Sequence, residues 1–127
     1  MESCELKTVL AGSPKMIYEH WLSSEGHSAM TGGSAEASPE VGAAFNAWDG
    51  YIWGKNLELE EDRRIVQSWR TTEFADEDED SRLEVVLEPT GDGCQITIRH
   101  SHIPEGQTQY EQGWVDHYLE PMKSYFG

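Results

Sequence analysis

The sequence predicts an α+β fold: a curved antiparallel sheet of about six strands wrapped around a long C-terminal helix, with two short helices after the first strand. Three observations carry that expectation. From Val41 to His100, apolar residues alternate with a period of two in segments separated by turn residues. Tyr110, Trp114, Tyr118 and Met122 then recur at intervals of four, the spacing of a helix face. Between the first strand and the alternating segments, a Ser-Pro pair and a Gly-Gly pair bracket short helical stretches.

Glu5 to Leu10 is rich in Val, Leu and Thr, as an opening strand would be. At Gly12-Ser13-Pro14 a helix can start, because Ser13 can cap its orphan N–H groups and Pro14 suits the first helical position. Ile17, Tyr18 and Trp21 give it an apolar side. Ser23 or Ser24 restarts a second helix, which Gly32-Gly33 ends. The Gly-, Ser-, Ala- and Pro-rich stretch from Thr31 to Ala44 contains a loop.

Val41, Ala43 and Phe45 then alternate with Gly42, Ala44 and Asn46, ahead of the hairpin turn Asp49-Gly50. Tyr51, Trp53, Leu57 and Leu59 alternate with Ile52, Gly54, Asn56 and Glu58, and Glu61-Asp62 turns the chain again. Ile65, Gln67 and Trp69 face opposite to Val66, Ser68 and Arg70. Glu73 to Asp80 is an acidic, solvated connection. Leu83, Val85 and Leu87 form one face of the next strand, and Thr90-Gly91-Asp92-Gly93 leads into Cys94, Ile96, Ile98 and His100. Pro104-Glu105-Gly106 ends the sheet. Thr108 to Phe126 is long enough for a helix of about five turns, kinked near His117 because that carbonyl meets the ring of Pro121.

With 127 residues, an apolar fraction of 37%, five Trp and five Tyr, the chain reads as one domain, residues 1–127, with a real core. The net charge of -15 argues against binding nucleic acid or an anionic membrane surface, both of which call for clustered Lys and Arg. Residues 1–12 show no leader-peptide pattern, and no stretch approaches the roughly 20 apolar residues of a membrane helix. Cys4 and Cys94 fit free thiols in a cytoplasmic protein, a single bridge between them being the alternative.

Known catalytic patterns are absent: there is no phosphate-cradling Gly-rich loop and no G-x-S-x-G elbow. Asp76, Asp78 and Asp80 begin like a calcium loop, but Ser81 and Leu87 stand where Gly and Glu are needed, so the motif fails. His100 and His102 form an H-x-H pair that shares a face by alternation. Two ligands do not make a metal site, and His20, His27 and His117 have no readable relation to them. No metal and no cofactor is expected.

The order and spacing of several fragments resemble one family. They are Ser13-Pro14 before a helix ending in Trp21, then Val41 to Phe45, Asp49 to Gly54 and Arg64 to Arg70. Thr97 to His100, Gly113-Trp114 and Leu119 to Tyr125 follow. Together they resemble homologues of the activator of heat-shock protein 90 ATPase, within the START-like (SRPBCC) superfamily of birch-allergen-like and lipid-transfer domains. The resemblance implies the helix-grip fold and a cavity between sheet and helix, used across the superfamily for apolar ligands and sometimes for chemistry. Met30 stands where the family's second helix usually carries Trp. Chaperone activation goes with a separate N-terminal domain, for which the chain is expected to have no room.

Candidate site residues follow. Phe45, Trp53, Trp69, Trp114 and Tyr118 either fill the core or line a pocket for a flat, apolar ligand. His100 continues an inward apolar row; it is either a satisfied core histidine or a group that orients a ligand or moves a proton, and it is the one catalytic candidate. The reading that follows is a small cytoplasmic domain holding an apolar or aromatic molecule between sheet and helix. The alternatives are a cyclase- or hydrolase-like enzyme using the same cavity, and a co-chaperone-type module with a protein partner.

Overall fold

In the computed structural model, which describes residues 1–127, the chain opens with β1 (Glu2–Leu10), whose alternate residues Cys4, Leu6, Thr8 and Leu10 turn toward the core. Ser13 Oγ then accepts from the Met16 N–H at 3.1 Å and starts α1 (Pro14–Trp21), with Pro14 in the first turn. Ser23 Oγ accepts from the Gly26 N–H at 3.1 Å and starts α2 (Ser24–Thr31), which Gly32 ends at φ +89°. Val41 and Ala43 lie in a turn, and the next strand begins only at Ala44.

The meander runs through β2 (Ala44–Ala47), β3 (Ile52–Glu60), β4 (Arg64–Thr71), β5 (Ser81–Thr90) and β6 (Gly93–Ile103). All pairings are antiparallel, and the six strands lie in the order β1-β6-β5-β4-β3-β2. Register aligns Leu6, Ile98, Val85, Ile65 and Leu59 in one inward row. On the outer face, Arg99 bonds Glu5 and Glu84, and Arg64 bonds Glu84, Glu58 and Glu60. These ion pairs lace β1, β6, β5, β4 and β3 together, and Val66 and Thr97 are buried beneath the long side chains. Cys94 stands opposite Leu10 and Cys4 opposite His100, so the thiols are apart and free.

The concave face grips the C-terminal helix. It runs from α3 (Tyr110–Trp114) through a π-turn (Val115–Leu119) into α4 (Glu120–Phe126). The expected distortion is this π-turn: Pro121 offers no N–H to the His117 carbonyl, and the chain widens so that the Glu120 N–H reaches back five residues to the Val115 carbonyl. On a straight α-helix, residues four apart drift about 40° per step. The wide turn rotates the chain back, and Tyr110, Trp114, Tyr118 and Met122 all remain buried. No helix is long and apolar enough to cross a membrane.

Candidate functional site

Between the mouth of the sheet and the first half of the C-terminal helix lies an open cavity of about 660 Å3. Trp48 and Tyr51 from the β2–β3 turn, Trp69 from β4, and Tyr110, Trp114 and Tyr118 from the helix give it aromatic walls. Gly113 lines it without a side chain, and Gln112, Asp116 and His117 supply polar atoms. A second depression of about 770 Å3, between Pro14, Arg63 and Glu88, has mostly polar and charged walls and lacks this aromatic character.

Of the residues singled out in the sequence, Trp69, Trp114 and Tyr118 come together on this cavity. Phe45 is buried in the core behind it. Trp53 departs from expectation: it is 39% exposed on the outer face. The hairpin register explains why. Phe45 pairs with Gly54 and Asn46 with Trp53, and cross-strand partners share a face, so an inward Phe45 requires an outward Trp53. Gly54 is required here, since a Cβ would lie 1.8 Å from the Ser68 carbonyl oxygen and 2.9 Å from the Phe45 ring.

His100 is buried behind Trp69, Tyr110 and Trp114 and both its nitrogens are engaged. The Trp114 Nε1–H donates to Nδ1 at 3.1 Å, which places the proton on Nε2. That N–H donates to Ser81 Oγ at 2.7 Å, and the hydroxyl donates in turn to the Trp69 carbonyl at 2.7 Å. Burial lowers the His100 pKa to about 3, so the ring is neutral at physiological pH. The chain fixes the two tryptophans that wall the cavity, and in this arrangement no His100 nitrogen is free to exchange a proton with a ligand. His102 does not share its face: Ser101 and His102 bulge opposite Ser3, and His102 has φ +59° and points to solvent.

Residues that sequence reasoning passed over complete the site. His27 is buried, with Nδ1–H donating to the Trp21 carbonyl at 2.9 Å and Nε2 accepting from Tyr118 Oη at 2.7 Å. Burial lowers its pKa and raises that of Tyr118, so the pair is neutral. At the mouth, Thr71 Oγ1 donates to Tyr110 Oη at 2.7 Å and Tyr110 donates to Gln107 at 2.8 Å, while the Tyr51 hydroxyl donates to Glu73. Trp48 stands edge-on to His117, with ring centroids 5.1 Å apart, and its buried Nε1–H has no hydrogen-bond partner. The signal for Trp48 and Tyr51 was their placement flanking Asp49-Gly50: large aromatics at a turn have a strand end to fold over.

Residues 11–127 match the family described as Activator of Hsp90 ATPase homolog 1-like protein. The chain belongs to this family. Over 123 residues it is 24% identical to the human activator of 90 kDa heat shock protein ATPase homolog 1, covering 96% of this chain and 36% of that protein. Over 98 residues it is 30% identical to an uncharacterized protein of Schizosaccharomyces pombe, covering 66% of this chain and 25% of that one. The chain therefore spans only a quarter to about a third of the length of these relatives. In fold it is similar to an HSP90 activator from Plasmodium falciparum, with a TM-score of 0.87 at 20% identity, covering 98% of this chain and 95% of that one. A protein from Chromobacterium violaceum superposes with a TM-score of 0.78 at 23% identity, covering 98% and 96%.

Proposed function

We propose that this domain holds an apolar or aromatic small molecule between its sheet and its C-terminal helix. The observation that carries the reading is the aromatic cavity beside Trp114, whose volume of about 660 Å3 falls within the roughly 300–1,000 Å3 of small-molecule sites. Trp48, Tyr51, Trp69, Tyr110, Trp114 and Tyr118 are the proposed contacts, and His100 acts through the tryptophans it positions. Native mass spectrometry of freshly purified protein tests the idea, together with quenching of tryptophan fluorescence by naphthalene. A retained molecule or saturable quenching is expected. Neither, in the folded protein, would remove the reading.

One observation favours a second reading, an activator of Hsp90-type ATPases working through its surface. The HSP90 activator from Plasmodium falciparum is matched over 95% of its chain, so a domain of this extent bears that description in one relative. Stimulation of a purified Hsp90 ATPase by the chain alone is the measurement; no stimulation at saturating protein would set this reading aside.

A further inference from the structure

Resting on the cavity reading, we infer that the ligand is a cation: an organic amine or quaternary ammonium on an apolar or aromatic body. Ring faces come first. Trp and Tyr faces carry negative charge density and attract a cation within about 6 Å, and they dominate the walls.

Most of the polar atoms point the same way; the unpartnered Trp48 Nε1–H is the exception, and it calls for an acceptor atom on the ligand's body. The hydroxyls of Tyr51, Tyr110 and Tyr118 donate to Glu73, Gln107 and His27, and the Trp114 N–H donates to His100. Those hydroxyls keep only lone pairs for a ligand, so they accept and do not donate.

Charge decides between a neutral donor and a cation. No Lys or Arg lines the cavity, whose only basic group is the His117 imidazole. Asp116 lies in the lining, and Glu73 sits at the mouth against Tyr51. Neither is in any of the ion pairs that occupy the arginines. One feature opposes them. The C-terminal helix starts at the cavity with no side-chain cap, and its N-terminus carries about half a positive charge. Two full carboxylates outweigh that, and Glu111 in the first turn offsets it further. The net charge of -15 adds a long-range field that draws cations and repels anions.

The test compares three probes of nearly one shape by tryptophan quenching: naphthylmethyl-trimethylammonium, its uncharged carbon isostere neopentylnaphthalene, and naphthylacetate. The cation should bind about tenfold tighter than the isostere, with the anion weakest, and added salt should narrow the gap. In an Asp116→Asn, Glu73→Gln double variant, the cation-to-isostere affinity ratio should fall roughly threefold or more. Equal or tighter binding of the isostere overturns the charge preference and leaves the cavity reading standing, as an unchanged ratio in the double variant overturns the role of the carboxylates. Saturable binding of none of the three overturns the cavity reading and this inference with it.

Discussion

Acid should unfold this protein through its interior before its surface carboxylates titrate. In the folded state the His100 pKa is about 3, against about 6.5 for an unfolded chain. A histidine with a lowered folded pKa contributes stability that is fully present above 6.5. As the pH falls below that value, the unfolded state takes up a proton that the native state refuses, and the stability drains away until the folded pKa is reached. From about pH 7 to about pH 5 this amounts to ~1.5 pH units at ~1.36 kcal/mol each, or about 2 kcal/mol, rising toward ~5 kcal/mol near pH 3. His27, buried and lowered by the same cause, adds loss in the same direction. Carboxylates ordinarily titrate near 4, below this window, and Glu84 and Glu105 are held lower still by Arg64 and the N-terminal amine. Urea unfolding at the two pH values measures the effect in wild type and in His100→Gln, whose amide can still accept from Trp114 and donate to Ser81. The variant should be less stable at neutral pH yet lose about 2 kcal/mol less on acidification. An identical acid loss in both proteins would refute the assignment to His100.

Three further substitutions, at two positions, probe the cavity. A Cβ at the helical Gly113 would meet nothing within 4 Å, so Gly113→Ala should stabilise by about 0.5–1 kcal/mol and raise Tm by roughly 2–5 °C in a thermal melt. Gly113→Leu should keep the helix gain while filling the cavity, weakening naphthalene binding about tenfold; unchanged affinity would place the site elsewhere. Trp48→Phe removes a buried N–H without a partner, worth about 1–3 kcal/mol when unsatisfied, and this offsets the lost ring contacts. Chemical denaturation should therefore show a change within about 1 kcal/mol, and a loss above ~3 kcal/mol would mean the N–H is bonded.

The sheet and the gripped helix were legible because alternation from Ile65 to His100 and the stripe from Tyr110 to Met122 each have one self-consistent phase. β3 has two. Its larger side chains Trp53 and Leu57 lie on the phase that faces out, while the inward phase carries Ile52, Gly54 and Asn56. Local hydrophobicity therefore points the wrong way, and only the pairing of Phe45 with Gly54 resolves it. Asn56, which alternation places opposite Trp53 and Leu57, is buried: it receives the Gln67 amide and bonds the carbonyls of Ser38 and Glu40, linking sheet to loop. His27 lay on a short helix without strong amphipathic character, and its partner Tyr118 is 91 positions away, beyond the reach of periodicity. Half of the cavity's aromatics were named from sequence because they sit on regular elements. Trp48 and Tyr51 were missed because turns impose no period, and Tyr110 because its ring was read only as part of the helix stripe.

The wide turn at Val115–Leu119 holds one residue more than an α-helical turn, and so stores a residue without changing the phase of the helix on either side. One residue removed there would restore an ordinary α-helix and leave Met122 still facing the sheet. One residue removed or added in the regular turns would instead swing everything after it by about 100°. Relatives that grip the helix by the same aromatic row can therefore differ by one residue at this turn but not beside it. Changes of length can also accumulate in the acidic segment from Ala75 to Asp80, beyond the buried Phe74, where Arg70 holds the loop by two carbonyls and Asp80 and no buried row depends on the count.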